Sequence, residues 1–132
     1  MPASLLSLLF LDPALRRLRY GAALLLYAAI VGFGAIPGVR AEIGQVASGI
    51  VLHTVAYACI TVLLFTGSTG APRSRAIKAV LTVALMGAVD ELVQTFLPYR
   101  RGAIADWLID CNAALITAGL LWAFLPLRSD PR

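Results

Sequence analysis

Three stretches of this chain, residues 20–39, 43–72 and 111–127, carry no ionised side chain, with His53 as their lone imidazole. A bilayer-crossing helix takes about 20 apolar residues. It also satisfies its own backbone polar groups, which lipid cannot do for it. A fourth stretch, residues 76–97, is apolar but holds Lys78 near one end and Asp90 and Glu91 towards the other. Soluble domains carry about 25% charged residues, whereas these 132 residues are 14% charged and 60% apolar, with a mean hydropathy of +0.86. Such a chain cannot coat a globular surface with ionic groups. The runs predict an all-α, integral membrane four-helix bundle forming one transmembrane domain over residues 1–132, with spans near 20–36, 49–65, 76–97 and 103–125. Several soluble domains, a disordered polar chain and a disulfide scaffold are excluded.

Punctuation agrees with four helices. Asp12-Pro13 reads as an N-cap followed by proline at the first helical position, and Pro37-Gly38 as that helix's stop. Residues 67–72 are rich in turn formers, Pro98 closes the third helix, and Pro126 closes the fourth. Positive residues then orient the bundle. Arg16, Arg17, Arg19, Arg73, Arg75, Lys78, Arg128 and Arg132 flank one side, eight against Arg40, Arg100 and Arg101 on the other. Both termini are therefore expected in the cytoplasm. Tyr20 and Trp122 fall near the inner interface, Tyr99 and Trp107 near the outer one. Residues 4–11 are too short to cross and should lie along the inner interface; their arginines follow the apolar run, unlike those of a signal peptide. Cys59 and Cys111 sit in apolar surroundings and read as small hydrophobes. Ala84-xxx-Ala88 and Ala114-xxx-Ala118 read as small-residue packing motifs. No basic stripe with polar or aromatic readers points to nucleic acid, so the expected partner is the lipid bilayer.

Polar residues inside the spans carry the functional information. Four of seven acidic residues, Asp90, Glu91, Asp106 and Asp110, fall in or beside the last two spans. A mid-membrane Asp costs roughly 2.5–3.5 kcal/mol on the insertion scale. Spacing gathers them: Asp90, Glu91 and Gln94 share one face of the third helix, and Asp106 and Asp110 share a face of the fourth. His53 and Tyr57 repeat the four-residue spacing on the second. At about 1.5 Å per residue, Asp90 and Asp110 lie roughly 10 Å below the outer ends of their helices, and His53 about 6 Å below its own. Three helices thus place ionisable groups at similar depth, and Arg100 hangs over them. Taken singly, each residue also fits a plain hydrogen-bonding role between helices; together they form a site.

The stretch Asp90-Glu91-Leu92-Val93-Gln94-Thr95-Phe96-Leu97-Pro98-Tyr99-Arg100, followed by Asp106 and Asp110, resembles the signature of the VanZ-like family of bacterial membrane proteins. Those proteins carry an Asp-Glu pair, a Gln three later, a Pro, an Arg two beyond it and an Asp six further on. They also place a His four residues before a Tyr on an earlier span, as His53 and Tyr57 do. The position of Asp110 is usually Asn or Asp in the family, and a frequent Gly of the last span is Ala113 here. The resemblance covers about half the chain and implies a location in the cell membrane, with these polar residues as the site. The family takes its name from a protein contributing to teicoplanin resistance, which implies a role in the cell envelope and antibiotic resistance but no particular reaction.

Three functions fit. The first is a site that binds or processes an envelope lipid head group in the outer leaflet, a lipid-linked envelope precursor by family analogy. Arg100 would take a phosphate, and His53 would accept a proton. Asp90 and Glu91 would serve as acid-base groups or hold a divalent cation, with Gln94, Asp106, Asp110 and Tyr57 contacting substrate. The second is a non-enzymatic accessory that binds a lipid or a partner protein. The third is a proton- or ion-coupled path, which the charge-free inner halves of the spans disfavour.

Overall fold

The computed structural model describes residues 9–125. A 3₁₀ turn at Pro13–Leu15 leads into helix α1, Arg16–Gly34; a short helix α2 follows at Val39–Gly44. The long helices α3, Gly49–Gly67, α4, Pro72–Thr95, and α5, Ile104–Phe124, complete the chain. The described residues contain no strand. Two helices, α3 and α5, are long and apolar enough to cross a membrane. Helices α1 and α4 are as long, but charged side chains fall within the same length: an arginine cluster on α1, and Arg73, Arg75, Lys78, Asp90 and Glu91 on α4.

Local chemistry sets the ends. Asp12 accepts a hydrogen bond from the Ala14 N–H at 2.9 Å, capping the first turn as its spacing predicts. Ser48 Oγ accepts from Val51 N–H at 3.4 Å and starts α3, while Pro72 opens α4 at a position that has no use for an N–H. Thr61, Thr66 and Ser68 donate their hydroxyls to the carbonyls four residues back, at 2.6, 2.7 and 2.6 Å. Those hydroxyls are thereby satisfied inside an apolar helix.

The molecule is apolar outside and partly polar within. Leu25 on α1, Leu85 on α4 and Ile116 on α5 are 73%, 67% and 63% exposed, while Asp90, Glu91, Gln94 and Asp110 are buried. Soluble proteins seldom show large contiguous apolar patches, and lipid is the solvent that suits such a surface. Helix α3 is central and packs on α1, α4 and α5; α4 and α5 lie tightly together, and α1 barely meets α4. At the end near the α3–α4 turn, Gly67 lets α1 approach so closely that a Cβ there would lie 2.8 Å from Tyr20 N.

Several expectations are corrected. The first helix ends at Gly34, short of Pro37, and the chain turns at Gly38 (φ 86°) into α2, a helix the charge pattern does not announce. Helix α4 begins four residues earlier than expected, at Pro72, and ends at Thr95. Ala114 and Ala118 are packed as predicted, but Ala88 is exposed, and the close face of α4 is Ala79, Val83 and Gly87. Arg19 and Arg75, counted as flanking charges, are buried. Arg19 donates to the carbonyls of Leu9, Asp12 and Thr66 at 2.9–3.0 Å. Most of the expected interfacial segment (residues 4–8), the stop at Pro126, and Arg128 and Arg132 lie outside the described residues.

Candidate functional site

Helices α3, α4 and α5 each turn one polar face inward at the same level. His53 and Tyr57, one turn apart on α3, stack with ring centroids 6.0 Å apart and planes 13° from parallel. Below the imidazole, Tyr57 donates its hydroxyl to Asp90 Oδ2 at 3.1 Å. His53 Nδ1 lies 2.8 Å from Asp110 Oδ1, and Asp110 is completely buried. An ionised Asp110 only accepts, and with it in that state this contact puts a ring proton on Nδ1; Nε2 is then the nitrogen left for another partner. Nε2 lies 3.9 Å from Asp106 Oδ2.

Glu91 completes this upper group. Its Oε2 accepts the Ala103 N–H at 2.6 Å, at the N-cap of α5, and its Oε1 receives Gln94 Nε2 at 3.5 Å. The positive end of the α5 dipole thus lies against Glu91 and Asp106, where it favours negative charge. One ligand atom from each of His53, Glu91 and Asp106 can be chosen so that all lie within 4.8 Å of one another. These three are the residues that could hold a metal ion. Gln94 Oε1 and Asp110 Oδ2 are buried and have no hydrogen-bond partner.

A cavity of about 490 Å³ lies on the other flank of His53, in the gap between α1 and α4. Leu26, Ile30, Phe33, Leu52 and Ile43 give it apolar walls, and His53, Tyr57, Asp90, Gln94 and Arg100 supply its polar lining. Arg100, in the link after α4, donates Nη1 to the Gly34 carbonyl at 3.1 Å. All eight residues singled out from the sequence therefore lie in one neighbourhood, divided by the imidazole into two sides. Tyr57, Asp90, Gln94 and Arg100 border the cavity; Glu91, Asp106 and Asp110 stand on the α5 side.

Four further residues hold this arrangement in roles the sequence reading did not assign, Trp107 having been placed there only as an interfacial aromatic. Trp107 donates its indole N–H to the Ala84 carbonyl at 2.9 Å, and Tyr27 donates to the Met86 carbonyl at 2.9 Å, so α5 and α1 are both tied to α4 beside the acids. Gly87 leaves room for Asp110, whose Oδ2 would be 2.8 Å from a Cβ there, and Gly102 lets the α5 approach pass over α4. An aromatic in an apolar run and a glycine in a helix carry no local sign of these contacts.

In comparison with known proteins, the model of the VanZ/LLP1 family aligns with residues 6–125, which includes every residue of the site. No curated protein and no solved structure matches.

Proposed function

The chain belongs to the VanZ-like family, and from that premise we propose that it is a multi-pass protein of the bacterial cell membrane that binds an envelope lipid by its head group. The observation that carries this reading is the shape and lining of the cavity between α1 and α4. Its apolar walls suit an acyl or isoprenoid chain, and its volume of about 490 Å³ is that of a small-molecule site. Its polar lining offers the cation of Arg100 to a phosphate and the carboxylate of Asp90 to sugar or amine groups. The slight contact between α1 and α4 gives a lipid entry sideways from the bilayer. His53, with Nδ1 engaged by Asp110, presents Nε2 as a proton acceptor if the bound lipid is also processed, with Asp90 and Glu91 as acid-base groups. Further inward the buried interior is Ile60, Leu64, Val83, Ala114 and Ala118. Such a core suits a closed binding site better than a proton path across the membrane.

Lipids co-purifying with the full chain, quantified by mass spectrometry, test this. Arg100→Ala removes the cation, and Ala56→Phe, at a residue of α3 that also lines the cavity, fills the apolar wall; each should lower bound lipid at least fivefold relative to the unaltered protein. Equal retention in all three proteins removes the reading. In the processing version, Glu91→Gln retains lipid and stops formation of product from a labelled lipid-linked precursor. In the non-enzymatic accessory version, no product forms with either protein.

In the proposed orientation all four long helices span and both termini are cytoplasmic. With Cys59 and Cys111 replaced by alanine, Arg101→Cys should react with a membrane-impermeant maleimide on intact cells, and Arg73→Cys only after permeabilisation. The opposite pattern inverts the topology.

A further inference from the structure

We propose that His53, Glu91 and Asp106 form a binding site for one divalent transition-metal ion, with Zn²⁺ the best-matched occupant. The site stands on the α5 side of the imidazole, away from the cavity that carries the lipid-binding reading, and shares His53 and Glu91 only with the processing version of that reading. One ring nitrogen of His53 and one oxygen from each carboxylate lie within 4.8 Å of one another, and Nε2 stands 3.9 Å from Asp106 Oδ2. Zn–N and Zn–O bonds near 2.1 Å bring tetrahedral ligand atoms to about 3.4 Å apart, a contraction of roughly 1 Å. Asp106 can supply that movement, because it sits in the first turn of α5 with its side chain 26% exposed.

The electrostatics favour a dication. Two carboxylates this close repel one another unless a proton or a cation lies between them. A shared proton leaves the Nε2 lone pair unused, whereas a metal ion takes all three donors at once. His53 is also presented in the way that metal-binding histidines are, its other ring nitrogen hydrogen-bonded to a buried carboxylate, Asp110, at 2.8 Å. An independent sign of a missing ligand is Gln94. Its side chain is 4% exposed, its Nε2 rests against Glu91, and its buried Oε1 lacks a partner. A water carried by the ion in an open coordination position would donate to that oxygen. One imidazole with two carboxylates suits Zn²⁺ or Mn²⁺ over Ca²⁺ and Mg²⁺, which prefer all-oxygen shells. Three protein ligands with a remaining open position is the arrangement found in catalytic zinc sites.

The test uses tag-free, full-length protein in detergent, stripped with EDTA and titrated with Zn²⁺ against a chromophoric chelator. The expected result is saturable uptake of one ion per chain. His53→Ala, Glu91→Gln and Asp106→Asn should each weaken it at least 100-fold, and Asp90→Asn should stay within threefold of the unaltered protein. Asp110→Asn, a change at a positioning residue, should weaken binding about 10–100-fold. It should leave the visible spectrum of the Co²⁺-loaded protein in place, which His53→Ala abolishes. Because Asp106 is the most exposed of the three, Asp106→Asn decides the matter if either of the others fails to fold. Uptake below one ion per chain at 100 µM Zn²⁺, or uptake unaltered by Asp106→Asn, overturns the proposal. Neither outcome bears on lipid retention, which Arg100→Ala and Ala56→Phe test and which is measured on EDTA-stripped protein as well.

Discussion

Asp110→Ala should lower the folding free energy by about 3 kcal/mol, and Asp110→Asn by about 1 kcal/mol. The carboxylate is completely buried and bonded to the half-buried His53 Nδ1 at 2.8 Å, so alanine leaves that ring nitrogen without its partner. Breaking one side of a buried charged pair typically costs about 3–5 kcal/mol. The lower end applies here because Asp110 Oδ2 has no partner, and removing the side chain also removes that unfavourable burial. Asparagine keeps an oxygen for Nδ1–H and loses the charge alone. The measurement is reversible unfolding of the purified protein in mixed micelles. His53→Ala together with Asp110→Ala should cost at least 1 kcal/mol less than the sum of the two single changes. Strict additivity would mean that the two side chains are not paired in the folded protein.

The residues of this pair were legible because a membrane interior makes an ionisable side chain conspicuous. Asp90, Glu91, Gln94, Asp106 and Asp110 interrupt apolar text, and spacings of three and four place them on shared helix faces. The same contrast made the all-helical architecture readable. What stayed hidden depends on partners distant in sequence. The division of the cluster by the imidazole follows from α1 and α5 lying on different sides of α3, and no spacing within a helix reports which neighbour it faces. Ala88 misled because a small residue marks a packing face only where a second helix arrives, and α5 arrives one residue earlier, at Gly87. Helix α2 is six residues with an arginine and a glutamate in it, too short and too charged for a hydropathy reading to separate from a loop. Arg19 and Arg75 counted as flanking charges, yet Arg19 turns its donors on backbone carbonyls and both are buried. Charge tallies do not distinguish an arginine in water from one that staples a helix end.

Gly102→Ala should be the most damaging single methyl group at the His53 end of the bundle, destabilising the protein by about 2–3 kcal/mol and weakening the proposed metal site at least tenfold. A Cβ at Gly102 would collide with the Glu91 carbonyl oxygen and stand 2.8 Å from Thr95 Cγ2. The first obstacle is backbone in the body of α4, which cannot swing aside, so the incoming chain must retreat by about 1 Å to reach ordinary contact. That retreat pulls the Ala103 N–H from Glu91 Oε2, now at 2.6 Å, and draws the α5 N-terminus and Asp106 away from the other two ligands. Overpacking costs about 1–3 kcal/mol when side chains can adjust, and the upper end is expected where they cannot. Gly67→Ala is the matched control. Its Cβ would meet Tyr20 N at 2.8 Å and Arg16 O at 3.0 Å, again backbone, but at the opposite end of α3 from His53. It should cost similar stability, measured by the same micellar unfolding, and leave the metal affinity per folded molecule within threefold of the unaltered protein. If the two variants lose affinity alike, the loss at Gly102 reflects general loosening. If Gly102→Ala alone loses it, the close crossing of the link over α4 is what brings the carboxylates of two helices to one imidazole.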